Sequence, residues 1–217
     1  MFIGHYGVSF AAKAVDKRIP LWVLFIAAQL VDIFWTIFVL LKIERVEIKP
    51  GITAASPLDF VFYPYTHSLI ASLVWGALAM LAYRALRPGA DAWRTGLIVG
   101  AVVVSHWVLD LLVHRPDLPL YDDALKVGLG LWNYPLLETL LEFVFFFGGM
   151  FWYFRATQPA TQGGKYAMAV FGIIVGALFV SSGLGPPPPD ASSIAVVGLV
   201  LYLMLTGVVF WLEKKRQ

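Results

Sequence analysis

The feature that most constrains the fold is a series of long apolar stretches, each close to the length that crosses a lipid bilayer. A membrane-spanning helix needs about 20 mainly apolar residues. Inside a bilayer, backbone polar groups must pair within the spanning segment, and a helix achieves this alone. We therefore predict an all-α polytopic bundle with six transmembrane helices, at residues 19–41, 66–86, 93–113, 134–154, 165–184 and 194–212.

The composition extends this prediction to the whole chain. Of the 217 residues, 59% are hydrophobic and 14% are charged, whereas about a quarter of the residues of a soluble domain are charged. The net charge of +2 is too small to indicate a nucleic-acid partner. We predict one membrane domain, residues 1–217, with polar groups concentrated in residues 1–155 and two further spans in residues 165–212.

Residues 1–14 are apolar but too short to cross a bilayer. A cleavable signal peptide carries its positive charge before the apolar stretch, whereas Lys13, Lys17 and Arg18 follow it here. We predict a retained half-helix, which would leave the bundle open on one side above the short length of this helix. Residues 42–65 contain turn signals and are expected to form a polar connection.

The distribution of basic residues predicts the orientation, because short loops rich in Lys and Arg face the cytoplasm. Basic residues cluster at alternate ends of the predicted spans. We therefore expect both termini on the cytoplasmic side and the loop at residues 114–133 on the opposite side. The four clusters are Lys13/Lys17/Arg18, Arg84/Arg87/Arg94, Arg155/Lys165 and Lys214/Lys215/Arg216.

The third span carries His106, Asp110 and His114 at intervals of four residues. This spacing stacks the three side chains on one face of a helix, close enough to share a ligand. Ionisable groups in a span are costly unless they pair, bind an ion or line a wet cavity. The alternative is a helix end that emerges into water, with His114 and Asp117 simply solvated.

Polar groups on other segments reach the same level in the membrane. With a rise of 1.5 Å per residue from the basic ends, they lie about 18–25 Å above the cytoplasmic face. The chain contains no cysteine, so a metal at this level would be held by imidazole and carboxylate. The groups at this level are His5, Asp32, His67, His106, Asp110, Glu138 and Glu142.

Each of these residues also has a simpler interpretation. His5 could belong to a helix lying on the membrane surface, and Asp32 could form a structural hydrogen bond with Gln29. His67 could cap the start of the second span. The convergence of several groups at one level favours a shared site over these separate roles.

These residues also carry a family resemblance. The sequence resembles the YdjM-like membrane-bound metal-dependent hydrolases and, more distantly, the helical zinc-dependent phospholipase C and nuclease group. The segment at residues 114–133 resembles a bacterial subgroup of the first family, whereas the last two spans match only in hydrophobicity. The matching motifs are Gly4-His5, Asp32, Thr66-His67-Ser68 and Ser105-His106 followed by Asp110.

The resemblance implies a bacterial cytoplasmic (inner) membrane protein that binds a divalent metal, zinc or alternatively manganese. The family pattern has a second acid shortly after Asp32, where this chain has Phe34, so the number of metal ions stays open. The expected metal ligands are His5, Asp32, His67, His106, Asp110 and His114.

The expected activity is hydrolysis of a lipid or amphiphilic ester, most plausibly a phosphoester, near the outer leaflet. Glu138 and Glu142 share a helix face, and the subgroup's spacing favours Glu142 as the base or an additional ligand. Arg115 could pair with a phosphate or, beside Asp117, serve the structure. The alternatives are a transporter that uses the same groups as a proton or ion relay and a non-catalytic membrane scaffold.

Overall fold

A computed structural model describes residues 1–216 as an α-helical bundle with one small antiparallel sheet. The predicted all-α fold class is confirmed. A 3-10 helix, Leu131–Asn133, precedes α7. The α-helices are α1 Ile3–Val15, α2 Leu21–Ala28, α3 Leu30–Leu40, α4 Pro64–His67, α5 Leu69–Leu86, α6 Ala92–Val113, α7 Pro135–Ala156, α8 Gln162–Gly183 and α9 Ala191–Glu213.

Five helices, α5 to α9, are long and apolar enough to cross a membrane. The pair α2 and α3 forms a sixth span if it is counted as one helix with a bend of 51°. Large apolar side chains such as Leu136, Ile173 and Val200 are more than half exposed on these helices. Such a surface is unfavourable in water and suited to hydrocarbon, so the chain is a multi-pass membrane protein.

The first predicted span is broken at Gln29, where the backbone leaves helical geometry. The carbonyl of Ala28 accepts a hydrogen bond of 2.7 Å from the ring of His106 on α6. Backbone groups freed by a break in a membrane helix must find such partners. The bend therefore ties α2 to the polar face of α6.

The N-terminal half-helix is confirmed as α1, which fills its side of the bundle along its own length, and the opening expected above that length stays a prediction. Helix α1 packs against α2, α6 and α7, and Ile3, Tyr6 and Phe10 are fully buried. Gly7 meets the backbone of α7 so closely that a Cβ would collide with the carbonyl of Phe145. Because glycine has no side chain, the backbones of α1 and α7 can touch at this position.

The expected polar connection at residues 42–65 is instead a hairpin of β1 Arg45–Ile48 and β2 Leu58–Phe62. Val46 pairs with Phe60, and both side chains are buried. They pack in one cluster with Trp35 and Tyr63. The apolar faces of these short strands cover the end of the bundle and hold β2 over the polar face of α6.

The orientation can be tested with cysteines, since the chain contains none of its own. Ala124 lies in the loop after α6, Ala90 lies in the loop before it, and both are exposed. We expect an impermeant maleimide to label Ala124→Cys in intact cells and Ala90→Cys only after lysis. The reverse pattern would place the loop at residues 114–133 in the cytoplasm.

Candidate metal centre

The polar face of α6 is buried, as a shared site requires. His106, Asp110 and His114 are 1%, 2% and 2% exposed. Asp117, beyond the end of the helix, is 5% exposed. The alternative of a solvated helix end is therefore wrong for His114 and Asp117.

Side chains from α1, α3 and α4 converge on this face. His5 joins His106 and Asp110 in one group, and Asp32 and His67 join His106 in a second group. Within each group the candidate ligand atoms all lie within 4.8 Å of one another. The predicted convergence is confirmed, and the cluster could hold a metal ion.

The simpler interpretations fail at three positions. His5 is only 1% exposed inside the bundle, so it does not lie on a membrane surface. Gln29 donates to the carbonyl of Phe2 rather than to Asp32. Ser68, not His67, caps α5, because its hydroxyl accepts from the N–H of Ala71.

Two histidine nitrogens face two carboxylate oxygens at ligand-like separations. Nε2 of His67 lies 3.2 Å from Oδ1 of Asp32, and Nε2 of His106 lies 3.2 Å from Oδ2 of Asp110. The crossed distances are 3.6 Å from His106 to Asp32 and 3.8 Å from His67 to Asp110. Zinc bonds of 2.0–2.1 Å in a tetrahedron separate neighbouring ligand atoms by about 3.3 Å. Asp32, His67 and His106 form one group that could hold such an ion, and Asp110 joins His106 and His5 in the second group.

The hydrogen bond to Ala28 sets the proton position on His106. A carbonyl oxygen only accepts, so Nδ1 of His106 carries the proton. In the neutral ring, Nε2 then presents a lone pair, and this buried atom has no hydrogen-bond donor among residues 1–216. A lone pair aimed at carboxylates is unfavourable, and either a proton on Nε2 or a cation between these groups removes that cost, so the donor set can accommodate a metal.

A chain of two hydrogen bonds gives His67 the same tautomer. The hydroxyl of Thr66 donates to Oε2 of Glu44 at 2.7 Å and lies 2.8 Å from Nδ1 of His67. Its one proton is used, so it accepts from Nδ1–H. Burial raises the pKa of Glu44 to about 7, and above that pH the carboxylate form predominates. Outer groups of this kind orient metal-binding histidines.

His5 and His114 flank this core differently. The ring of His5 stacks on His106 at 3.8 Å, and its Nε2 lies 3.2 Å from Oδ1 of Asp110. His114 lies outside both candidate groups: its Nδ1 is 3.0 Å from Asp117, and its Nε2 is 3.7 Å from Asp110. The ligand role of His114 stays a prediction.

The structure adds contacts that the sequence analysis missed. The hydroxyl of Tyr202 on α9 donates to Oδ2 of Asp32 at 3.2 Å, which brings the last span into the site. The amino group of Met1 donates to Oδ1 of Asp110 at 2.6 Å. A tyrosine in an apolar span usually belongs to the interfacial belt, so Tyr202 could not be recognised as part of the site from the amino-acid sequence.

The two glutamates have different surroundings. Oε1 and Oε2 of Glu142 accept from the backbone N–H groups of Phe2 and Gly4, at 2.6 Å and 2.5 Å. Glu142 therefore holds the start of α1 and positions His5. Glu138 accepts a long hydrogen bond of 3.5 Å from Thr139 and contacts Glu142, and both glutamates line the central cavity.

Arg115 is engaged by carboxylates. Its guanidinium contacts Asp59 and lies 2.9 Å from Oδ2 of Asp117. Asp117 in turn contacts His114. These contacts correspond to the structural alternative for Arg115, which stabilises the position of His114 through Asp117.

A cavity of about 350 Å³ opens onto the cluster. Asp32, His67 and Asp110 line one end of it together with Glu138. Aromatic side chains of β2 and the 3-10 helix and apolar side chains of α8 and α9 line the rest. This combination of a few polar groups and an apolar wall is typical of small-molecule sites.

No protein-family model, curated protein or solved structure matches this chain. The assignment of the site therefore depends on its geometry.

The hydrogen bond from His67 to Thr66 predicts a selective loss of metal affinity. We expect Thr66→Val to weaken zinc binding about 10- to 100-fold, because Nδ1 of His67 loses its acceptor. Thr66→Ser keeps the hydroxyl and should bind like the wild type. Competition with a fluorescent chelator measures the affinity. Thr36→Val is the control, since the buried Thr36 hydroxyl donates only to the carbonyl of Ile33; equal losses in both valine variants would contradict the prediction.

The position of Glu142 predicts a structural effect on α1. Glu142→Ala leaves two buried N–H groups unpaired, at a cost of about 1–3 kcal/mol each. We expect a clear fall in thermal stability and weaker metal binding through displacement of His5. Glu138→Ala, whose carboxylate holds no backbone group, should change stability much less. Similar melting curves for Glu142→Ala and the wild type would show that Glu142 does not hold α1.

Proposed function

We propose that this protein is a membrane-embedded metal-dependent hydrolase that cleaves a lipid or amphiphilic phosphoester near the outer leaflet of the bacterial inner membrane. The observation that carries the proposal is the pair of histidines whose Nε2 atoms face the same two carboxylates, the buried Asp110 and the partly buried Asp32. The cavity beside them has space for a small polar group and an apolar wall for the rest of an amphiphile.

The residues that would hold the metal are those of the two groups, His5, Asp32, His67, His106 and Asp110. A divalent ion such as Zn²⁺ or Mn²⁺ bound there supplies a Lewis acid that activates water and offsets charge on phosphoryl oxygens. Asp32 and Asp110 contribute negative charge to hold the cation. Hydrogen bonds from Tyr202 to Asp32 and from His106 to Ala28 keep the donor atoms in place.

Glu138 is the better placed glutamate for moving a proton. Its side chain lines the cavity, and no backbone N–H group donates to it among the bonds of residues 1–216. Both oxygens of Glu142 already accept from α1. We assign Glu138 the role of proton acceptor for an attacking water and Glu142 the role of positioning His5.

The surroundings of the site favour hydrolysis over a proton or ion relay. A relay needs polar groups leading from the site through the rest of the bilayer. Within two turns of the site on the side of the basic clusters, buried apolar residues predominate, including Phe10, Phe25, Val99 and Val103. The residues that converge here also carry the resemblance to the YdjM-like hydrolases, and we extend the proposal to membership of that family.

The test compares zinc-loaded wild type with Asp110→Asn and with Asp122→Asn, which changes an exposed acid. Detergent-purified proteins are assayed for metal content and for phosphate release from a panel of lipid phosphoesters. We expect Asp110→Asn to lose metal and at least about 100-fold in turnover, because it removes a ligand charge. Asp122→Asn should match the wild type.

Three outcomes would overturn the proposal. A wild type that binds metal but cleaves no ester would favour the scaffold, and gradient-dependent flux without turnover would favour the transporter. Turnover that survives both chelation and Asp110→Asn would show that the cluster is not the active centre.

A further inference from the structure

We propose that the crevice between α8 and α9 binds one hydrocarbon chain of the substrate while the phosphoester head group lies at the metal centre. This inference rests on the proposed function for the head group. The occupant is an alkyl or acyl chain of an amphiphile.

The crevice is continuous with the site. The central cavity reaches Phe179 and Ser182 on α8 and Ile194, Val197 and Leu201 on α9. A second cavity of about 60 Å³ lies between the same two helices. Ser182 and Leu201, together with Phe2, line both cavities, so the polar site leads into an apolar channel.

The channel runs in the direction that a lipid chain takes in a bilayer. The second cavity extends along α8 from Ser182 to Val175 and along α9 from Leu201 to Leu205. From Ile194, which lines the central cavity near the start of α9, to Leu205 is about 16 Å along the α9 axis. The metal cluster lies level with Tyr202, whose hydroxyl contacts Asp32, so the second cavity begins beside the cluster and extends along both helices away from the loop that joins them.

The walls of the channel select for hydrocarbon. Val175, Leu178, Leu201 and Leu205 contribute only apolar atoms, and Ser182 is the polar side chain among the lining residues. Its hydroxyl already donates to the carbonyl of Phe179. A peptide would leave its backbone groups unpaired there, whereas a hydrocarbon chain needs no partner.

The packing of the helices leaves room for such a chain. Helices α8 and α9 contact each other sparsely, in contrast to the close pair α5 and α6. Gly198 on α9 lines the central cavity and adds no side chain to it. The chain would gain little free energy relative to the bilayer, because lipid is equally apolar, so its main effect is to align the head group.

The test measures binding of n-alkylphosphonates with two to eight carbons, which report on the chain without being hydrolysed. Wild type loaded with zinc is compared with Leu201→Trp and Leu178→Trp, two substitutions that fill the channel from opposite helices. Leu203→Trp is the control, because Leu203 is 53% exposed on the lipid-facing side of α9. Melting curves and zinc content verify that each variant is folded.

We expect wild type to bind octylphosphonate about 30-fold more tightly than ethylphosphonate. Each fully buried methylene can raise the affinity by about fourfold at most, so this expected ratio corresponds to partial burial of the chain. The ratio should fall to about threefold or less in Leu201→Trp and Leu178→Trp, since few methylenes can then be buried. Ethylphosphonate affinity should stay unchanged in Leu178→Trp, because Leu178 lines only the second of the two cavities. Leu203→Trp should keep the ratio of the wild type.

A ratio that stays high in both filled variants, or that falls equally in Leu203→Trp, would overturn the inference. So would a wild type that binds no alkylphosphonate or shows no preference for longer chains. The proposed function can fail separately. If no ester is hydrolysed, but wild type prefers longer chains and the filled variants lose this preference, the protein binds lipid chains without hydrolysing them.

Discussion

The structure depends on two carboxylates inside a bundle that spans a membrane, the buried Asp110 and the partly buried Asp32. Each must be balanced by a positive charge or by several hydrogen-bond donors, since a free charge in hydrocarbon is very costly. The chain provides histidines from α1, α4 and α6 and the hydroxyl of Tyr202. The short helices α1 and α4 and the break between α2 and α3 all bring polar groups to these two acids, which explains the irregular half of the bundle.

The break at Gln29 shows how closely local structure and site are linked. A continuous helix would use the Ala28 carbonyl in its own backbone ladder. The bend leaves that oxygen to fix the ring of His106, and it starts α3 so that Asp32 lies in its first turn. Breaking the helix therefore positions two candidate ligands at once. The lost helical bond is replaced by a bond that sets the tautomer of His106.

The sequence predicted the members of the cluster better than their surroundings. Basic clusters mark one end of each span, and the fixed rise of a helix then gives the depth of His5, Asp32, His67 and Asp110. No comparable rule predicts the contacts between secondary-structure elements. Glu44 lies in a loop, and nothing local shows that it accepts from Thr66. The sequence analysis missed the hairpin because its strands are short. The alternation of apolar residues such as Val46 and Phe60 with polar residues extends over few positions, and the turn signals in the same segment favoured a loop.

The bundle divides into a tightly packed part and a loosely packed part, and this division fits the proposed chemistry. Metal ligands must keep their separations to within fractions of an ångström. Their helices accordingly meet through glycines: Gly7 and Gly149 join α1 to α7, and Gly76 and Gly100 join α5 to α6. A chain-binding channel has the opposite requirement, since its walls must separate enough to admit a flexible occupant. Helices α8 and α9 provide this looser wall, and α9 contacts the cluster through Tyr202. Substitutions of channel-lining residues on α8, such as Leu178, should alter which chain binds without moving the ligands.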